Sequence, residues 1–152
     1  MYSRSKILEL NDILVSSKNT GNAKFNYCVE KNIRVIKNEV NSIVELKSDI
    51  DNIVKDFVES RDAIVRKYGV NENDFIVIKT DNENYDISQK EISELIEQHK
   101  DSLELYDIEM KKHIEFLSKE VDLNLIVHEI SIDNIPDDFK HQDIFMDFKI
   151  LN

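Results

Sequence analysis

The amino-acid sequence predicts a mainly α-helical fold with a small β component, built around a long antiparallel helical hairpin of the coiled-coil type. Its 152 residues include only two glycines and one proline, whereas sandwiches and barrels need turn residues about every ten positions. One long segment repeats apolar residues every seven positions, and a second repeats them at alternating spacings of four and three. At this length we expect a single domain over residues 1–152.

The N-terminal part of the chain predicts a short helix followed by a long one. Apolar residues recur at helical spacing over 5–16, and a polar stretch containing Gly21 ends this helix. The first long helix is expected over 26–68, and Gly69 is expected to stop it as a left-handed C-cap. All six heptad positions of this helix are apolar: Val29, Ile36, Ile43, Ile50, Phe57 and Ile64.

The middle of the chain predicts a β-hairpin over 75–87 and then the second long helix over 89–121. The apolar run from Phe75 to Thr80 and the segment from Tyr85 to Ile87 flank a polar four-residue turn. Ser88 and Glu91 form the Ser-x-x-Glu pattern of a capping box. The apolar seam of the second helix is Ile92, Ile96, His99, Leu103, Tyr106, Met110, His113 and Leu117.

The C-terminal part predicts a strand over 123–132, because this run is β-branched and too short for a helix. A short helix over 138–151 would bury Phe139, Phe145 and Phe148. The two long helices should lie antiparallel, since each must bury its seam against the other. Two partners stay open for the strand: the segment around 24–27, or a second chain.

The net charge of −11 is unevenly distributed along the chain. Residues 70–110 carry three basic and twelve acidic groups, a net of −9, whereas residues 1–69 carry a net of +2. An acidic stripe follows one side of the second long helix at spacings of three, four, three and three: Glu94, Glu97, Asp101, Glu104 and Asp107. It indicates either a surface for a basic partner, such as a nucleic-acid-binding host protein, or a solvated helix face. Direct binding of nucleic acid is disfavoured, because no comparable basic stripe was found.

Motifs for catalysis and metal binding are missing from the sequence. It contains no glycine-rich phosphate loop, Gly-x-Ser-x-Gly, His-Glu-x-x-His or EF-hand loop. We therefore predict no enzymatic activity, no catalytic residues, no cofactor and no metal site. His99 and His113 are about 21 Å apart along a helix, so hydrogen bonds across the seam are expected rather than one shared metal ion.

Cys28 is the single cysteine and cannot form a disulfide within the chain. No apolar run is long enough to span a bilayer, and no apolar signal segment begins the sequence. We therefore expect a cytoplasmic protein that does not bind a membrane.

Several short motifs occur in a characteristic order. Lys24-Phe25-x-Tyr27 is followed by Lys31-Asn32, and the first long helix ends with Lys67-Tyr68 before a polar insert. Near the C-terminus, Val127-His128-Glu129-Ile130 precedes Ile135-Pro136. In this plan, over roughly residues 8–151, the chain resembles a family of small bacteriophage proteins known only as a domain of unknown function. The insert here lacks the glycine that such inserts commonly carry.

The resemblance implies a phage origin and no catalytic residues. We expect a non-enzymatic phage accessory protein that binds another protein, in particular an inhibitor of a host defence system acting in the host cytoplasm. The alternatives are a structural or assembly role in the virion, such as a tail or head chaperone, and, as a minor one, an enzyme. We also expect a homodimer, because apolar residues beside each seam exceed what one antiparallel helix can cover.

Overall fold

The computed structural model describes residues 1–121 and 127–151. Of these, 68% are helical and 8% belong to a small antiparallel strand component, which confirms the predicted fold class. The helices are α1 Arg4–Ser16, α2 Ala23–Asn52, α3 Lys55–Tyr68, α4 Tyr85–Gln98, α5 Lys100–Ser118 and α6 Gln142–Asp147. The strands are β1 Tyr2–Ser3, β2 Val70–Glu72, β3 Phe75–Val77 and β4 Glu120–Val121. None of the helices in the described residues has both the length and the apolar character needed to cross a bilayer.

The chain divides into two compact units. The first unit comprises Met1–Leu46 and Ile114–Asn152, and the second comprises Lys47–His113. The expectation of one domain over the whole chain stays a prediction.

The first unit has a hydrophobic core formed by α1, the first half of α2 and the C-terminal segment. Asn22 begins α2, because its side-chain Oδ1 accepts a hydrogen bond of 2.9 Å from the backbone N–H of Phe25. β1 pairs with β4, which places Tyr2 opposite Val121. The buried core residues are Ile7, Leu10, Ile13, Leu14, Phe25, Val29, Ile36, Ile130, Phe145, Phe148 and Ile150.

The second unit contains an antiparallel pair of helices, α3 and α4. Near the end of α3, Tyr68 donates a hydrogen bond to Glu91, which lies in the first half of α4. Near the start of α3, the ring of Phe57 lies 5.9 Å from that of His99, directly after α4. These contacts fix opposite directions for the two helices, so the antiparallel hairpin is confirmed for α3 and α4.

Each predicted long helix is divided into two in the structure, so the predictions of single helices over 26–68 and 89–121 were wrong. At the first division, the backbone N–H groups of Ile53 and Val54 donate to the carbonyl oxygens three residues earlier, of Ile50 and Asp51, instead of four residues earlier. Aspartate, asparagine and β-branched residues are weak helix formers, and four of them follow one another from Asp51 to Val54. At the second division, His99 leaves helical geometry with φ −106° and ψ 14°.

The β-hairpin joins β2 to β3 and places Val70 opposite Val77. The predicted hairpin, between residues 75–80 and 85–87, was therefore wrong. Its turn is Asn73-Asp74, and both residues have positive φ values of 49° and 69°. Positive φ at both central residues defines the tight two-residue turn that suits the twist of a hairpin.

Gly69 does not form the predicted left-handed C-cap of the first long helix, because its backbone is extended, with φ −83°. A side chain at Gly69 would collide with the Val65 carbonyl oxygen and with Ile76, which explains the glycine.

The predicted capping box at Ser88 was also wrong, because α4 begins three residues earlier, at Tyr85. The side chain of Ser88 is buried and donates a hydrogen bond of 2.6 Å to the Tyr85 carbonyl oxygen. The start of the helix is prepared instead by Asn82, whose Oδ1 accepts a hydrogen bond of 2.8 Å from the backbone N–H of Asn84.

The C-terminal segment has less regular structure than predicted. Of the predicted strand over 123–132, residues 123–126 lie outside the described residues, Ile130 forms a parallel bridge to Leu151, and Ile132–Asn134 is a 3₁₀ helix. The predicted helix over 138–151 is shortened to α6, because Lys149 adopts a positive φ of 55° and turns the chain back. Phe145 and Phe148 are buried and Phe139 is partly buried against this core, as expected.

Candidate protein-binding faces

The acidic stripe lies on exposed positions of two consecutive helices. Glu94 and Glu97 belong to α4, and Asp101, Glu104 and Asp107 belong to α5. Backbone hydrogen bonds continue across the junction, since the N–H of His99 donates to Leu95 and the N–H of Leu103 donates to His99. The structure therefore keeps all five residues on the helical surface of the second unit.

Most carboxylates of the acidic stripe are unpaired. Glu94 lies 3.9 Å from the ammonium of Lys90. No ion pair among residues 1–121 and 127–151 includes the other four. Acidic neighbours three and four positions apart repel one another on a helix. Beyond Glu94, the stripe is therefore a concentrated negative surface without an ion-pair partner in the described residues.

Glu91 attaches α4 to α3 directly beside this stripe. Its Oε1 accepts hydrogen bonds from the Tyr68 hydroxyl at 2.6 Å and from the Lys67 ammonium at 3.0 Å. The hydrogen bond from Tyr68, followed by that from Lys67, lowers the pKa of the Glu91 carboxyl. Hydrogen bonding of the Lys67 ammonium to Tyr68, and then to Glu91, also raises the pKa of Lys67. Glu91 thus has a structural role, unlike the stripe carboxylates.

Two apolar side chains share the face of the stripe. Leu105 is 47% exposed and follows Asp101 by four residues, and Ile108 is 50% exposed and follows Glu104 by four. Residues four apart on a helix lie on the same side. The face therefore offers apolar contact area among its carboxylates.

The two seam histidines occupy different surroundings. His99 contacts the ring of Phe57, and His113 is buried. Hydrogen bonds from these side chains across the seam stay a prediction. Among the described residues, no group of three or more histidine, cysteine or acidic side chains could hold a metal ion.

The first unit brings together motifs that are far apart in the sequence. The side-chain Nδ2 of Asn32 donates to the carbonyl oxygen of His128 at 2.8 Å, and its Oδ1 accepts from the His128 N–H at 2.8 Å. One turn earlier in α2, the Cys28 thiol donates to the Glu129 carbonyl oxygen at 3.5 Å. Burial raises the pKa of this thiol, so it remains protonated and weakly nucleophilic near neutral pH.

A mostly apolar groove of about 500 Å³ lies beside these contacts. Its walls come from the start of α2 and from the segment before and within the 3₁₀ helix. They include Ala23, Lys24, Tyr27, Cys28, Glu129, Ile130, Ser131 and Asn134. This groove is not predictable from local sequence patterns, because it depends on a contact between segments about a hundred residues apart.

The first half of α2 carries a basic face that was not among the predicted surfaces. Residues 18–38 include five basic groups and one acidic group, a net of +4. The acidic group, Glu30, pairs with Lys18 at 3.1 Å. The basic face consists of Lys24, Tyr27, Lys31, Arg34 and Lys37. Its regular spacing was visible in the sequence, so the expectation that no comparable basic stripe exists was wrong.

Comparison with models of known protein families, with curated proteins and with solved structures gave no match.

Proposed function

We propose that this chain is a non-enzymatic binding protein that recognises a basic surface of another protein through its acidic stripe. The observation that carries this proposal is the set of four stripe carboxylates without ion pairs within the described residues, on neighbouring turns of α4 and α5. A basic partner would relieve their mutual repulsion and would be attracted to them over a long range. Leu105 and Ile108 would add apolar contact once water is excluded.

The phage resemblance extends this proposal to a biological role. The chain would be a phage accessory protein, and its partner a basic, nucleic-acid-binding host protein that belongs to a defence system. An acidic helical surface can occupy the groove in which such a protein binds the phosphate backbone. The two proteins would meet in the host cytoplasm.

Affinity capture from a bacterial host lysate tests the proposal. The test variant reverses three stripe charges, with Glu97→Lys, Asp101→Lys and Glu104→Lys. The matched control reverses three exposed acidic residues of the first unit: Asp133→Lys, Asp137→Lys and Asp138→Lys. Wild type and control should capture the same basic protein, identified by mass spectrometry, and the stripe variant should lose it. Equal capture by all three proteins would show that the stripe is only a solvated surface.

The stripe variant should remain folded. Exposed substitutions usually change stability by about 0.5 kcal/mol or less each. Its thermal midpoint should therefore lie within a few degrees of that of wild type, and a loss of capture would then report binding alone.

A structural or assembly role in the virion is the second candidate. Val44 is 57% exposed and Ile114 is 61% exposed, and assembly into an oligomer would bury such side chains. A gene position within a morphogenesis cluster would favour this role, whereas a position among small early genes would favour the defence inhibitor.

A further inference from the structure

The basic face of α2 and the acidic stripe have the same residue spacing. The basic face uses positions 24, 27, 31, 34 and 37, and the stripe uses positions 94, 97, 101, 104 and 107. Each series advances by three, four, three and three residues, so each extends about 20 Å along its helices. The two surfaces therefore match in length and in the placement of their charged groups.

Both surfaces are available for contact. Lys24, Arg34 and Lys37 are exposed and Lys31 is half-exposed. No ion pair within the described ranges includes any of these four cations. Tyr27 is largely exposed, and the ammonium of Lys31 lies 5.3 Å from its ring centroid. The basic face thus has the opposite charge and the same arrangement as the stripe, and its aromatic ring offers additional contact.

We propose that the basic face of α2 is the docking surface for the acidic stripe of a second copy of this chain. In a parallel alignment, Lys31 lies opposite Asp101 and Arg34 lies opposite Glu104 of the second copy. The other positions follow in register, Lys24 with Glu94, Tyr27 with Glu97 and Lys37 with Asp107. The Tyr27 hydroxyl can donate a hydrogen bond to the Glu97 carboxylate, and the remaining pairs join opposite charges.

This docking explains why a chain of net charge −11 carries a basic face on one helix. Single exposed ion pairs contribute little, but a row of four acts as a network and fixes the register of two helices. The inference rests on the acidic stripe of the proposed function. It adds that self-association and partner binding exclude one another, since both cover the same carboxylates.

Sedimentation equilibrium with charge-swapped variants tests the docking. The first variant, Lys31→Glu with Arg34→Glu, makes the basic face acidic. The second variant, Asp101→Lys with Glu104→Lys, makes the stripe basic. Wild type should show a mass above 17.9 kDa that decreases with dilution, and the dissociation constant should rise at least about tenfold between 50 and 500 mM NaCl.

Each variant alone should sediment as a monomer, because it brings like charges together. An equimolar mixture of the two should associate again, because each altered face then meets its complement. The matched control is Lys55→Glu with Arg66→Glu on α3, which makes the same change in net charge and should associate like wild type. Circular dichroism should give the same helix content for all variants.

The docking is wrong if wild type is monomeric at all concentrations, or if the first variant associates like wild type. Binding of a short duplex DNA by wild type, lost in the first variant, without self-association, would instead assign the basic face to nucleic acid. The first variant keeps the acidic stripe, so its capture of the partner tests the proposed function separately. If it captures the partner and does not self-associate, both proposals are supported.

Discussion

The side-chain amide of Asn32 pairs with both backbone polar groups of His128, at 2.8 Å each, across 96 residues of sequence. Asn32 is 1% exposed, so water cannot replace these bonds. The amide thus acts as the neighbouring strand would in a sheet, and it attaches the C-terminal segment to α2. Cys28 and Glu129, which line the groove, make their own contact one turn earlier in α2.

Removal of this amide should destabilise the first unit. In Asn32→Ala, the N–H and C=O of His128 lose their partners, and a buried unsatisfied polar group costs about 1–3 kcal/mol. Urea denaturation should show this loss, whereas Asn38→Ala, at an exposed position of the same helix, should change stability by about 0.5 kcal/mol or less. Equal midpoints for the two variants would contradict the role of Asn32.

A charged substitution should destabilise the protein at a buried position of the heptad seam and not at the exposed position beside it. Ile43 is 2% exposed, and a carboxylate placed there would lose its hydration without gaining a partner. Ile43→Asp should cost several kcal/mol, a large share of the roughly 5–15 kcal/mol that stabilises a typical domain. The neighbouring Val44→Asp introduces the same charge on the solvent side. Thermal unfolding followed by circular dichroism should show a much lower midpoint for Ile43→Asp than for Val44→Asp. Similar midpoints for the two variants would exclude the predicted seam.

The Glu91 carboxyl should titrate below its ordinary range. Hydrogen bonds from Tyr68 and Lys67 lower its pKa in the folded state, so its contribution to stability is present above the unfolded pKa. This contribution should decrease as the pH falls through the folded pKa. NMR titration of the side-chain carboxyl should show the pKa of Glu91 rising in Tyr68→Phe. The pKa of Glu91 should stay unchanged in the control Tyr106→Phe. If the pKa of Glu91 does not rise in Tyr68→Phe, the Tyr68 hydroxyl is not the cause of its low value.

Local patterns predicted which segments are helical, although not the division of each long helix, because a buried helix face repeats in the sequence. Of the six predicted heptad positions, Val29, Ile36, Ile43 and Ile50 are buried, whereas Phe57 and Ile64 on α3 are only half-buried. The short leading helix was also predicted within one residue at its start. These features depend on neighbouring residues alone.

Long-range pairing was not predictable in this way. The sequence gives no local signal that Tyr2 lies opposite Val121, or that Asn32 bonds to His128. The hairpin was assigned to the wrong partner strand because its tight turn uses Asn73-Asp74 and lacks the glycine that usually marks such a turn. The acidic stripe was readable from spacing, whereas the exposure of its residues required the structure.

Binding of a basic protein by the acidic stripe should be visible in the rate of association with the captured partner. Stopped-flow mixing should be carried out from about 20 to 300 mM NaCl, with wild type, the three-residue stripe variant and its matched control. Wild type and control should associate fast, at rates that fall steeply with salt, whereas the stripe variant should associate slowly and almost independently of salt. Equal rates with equal salt dependence for all three proteins would exclude recognition through the stripe.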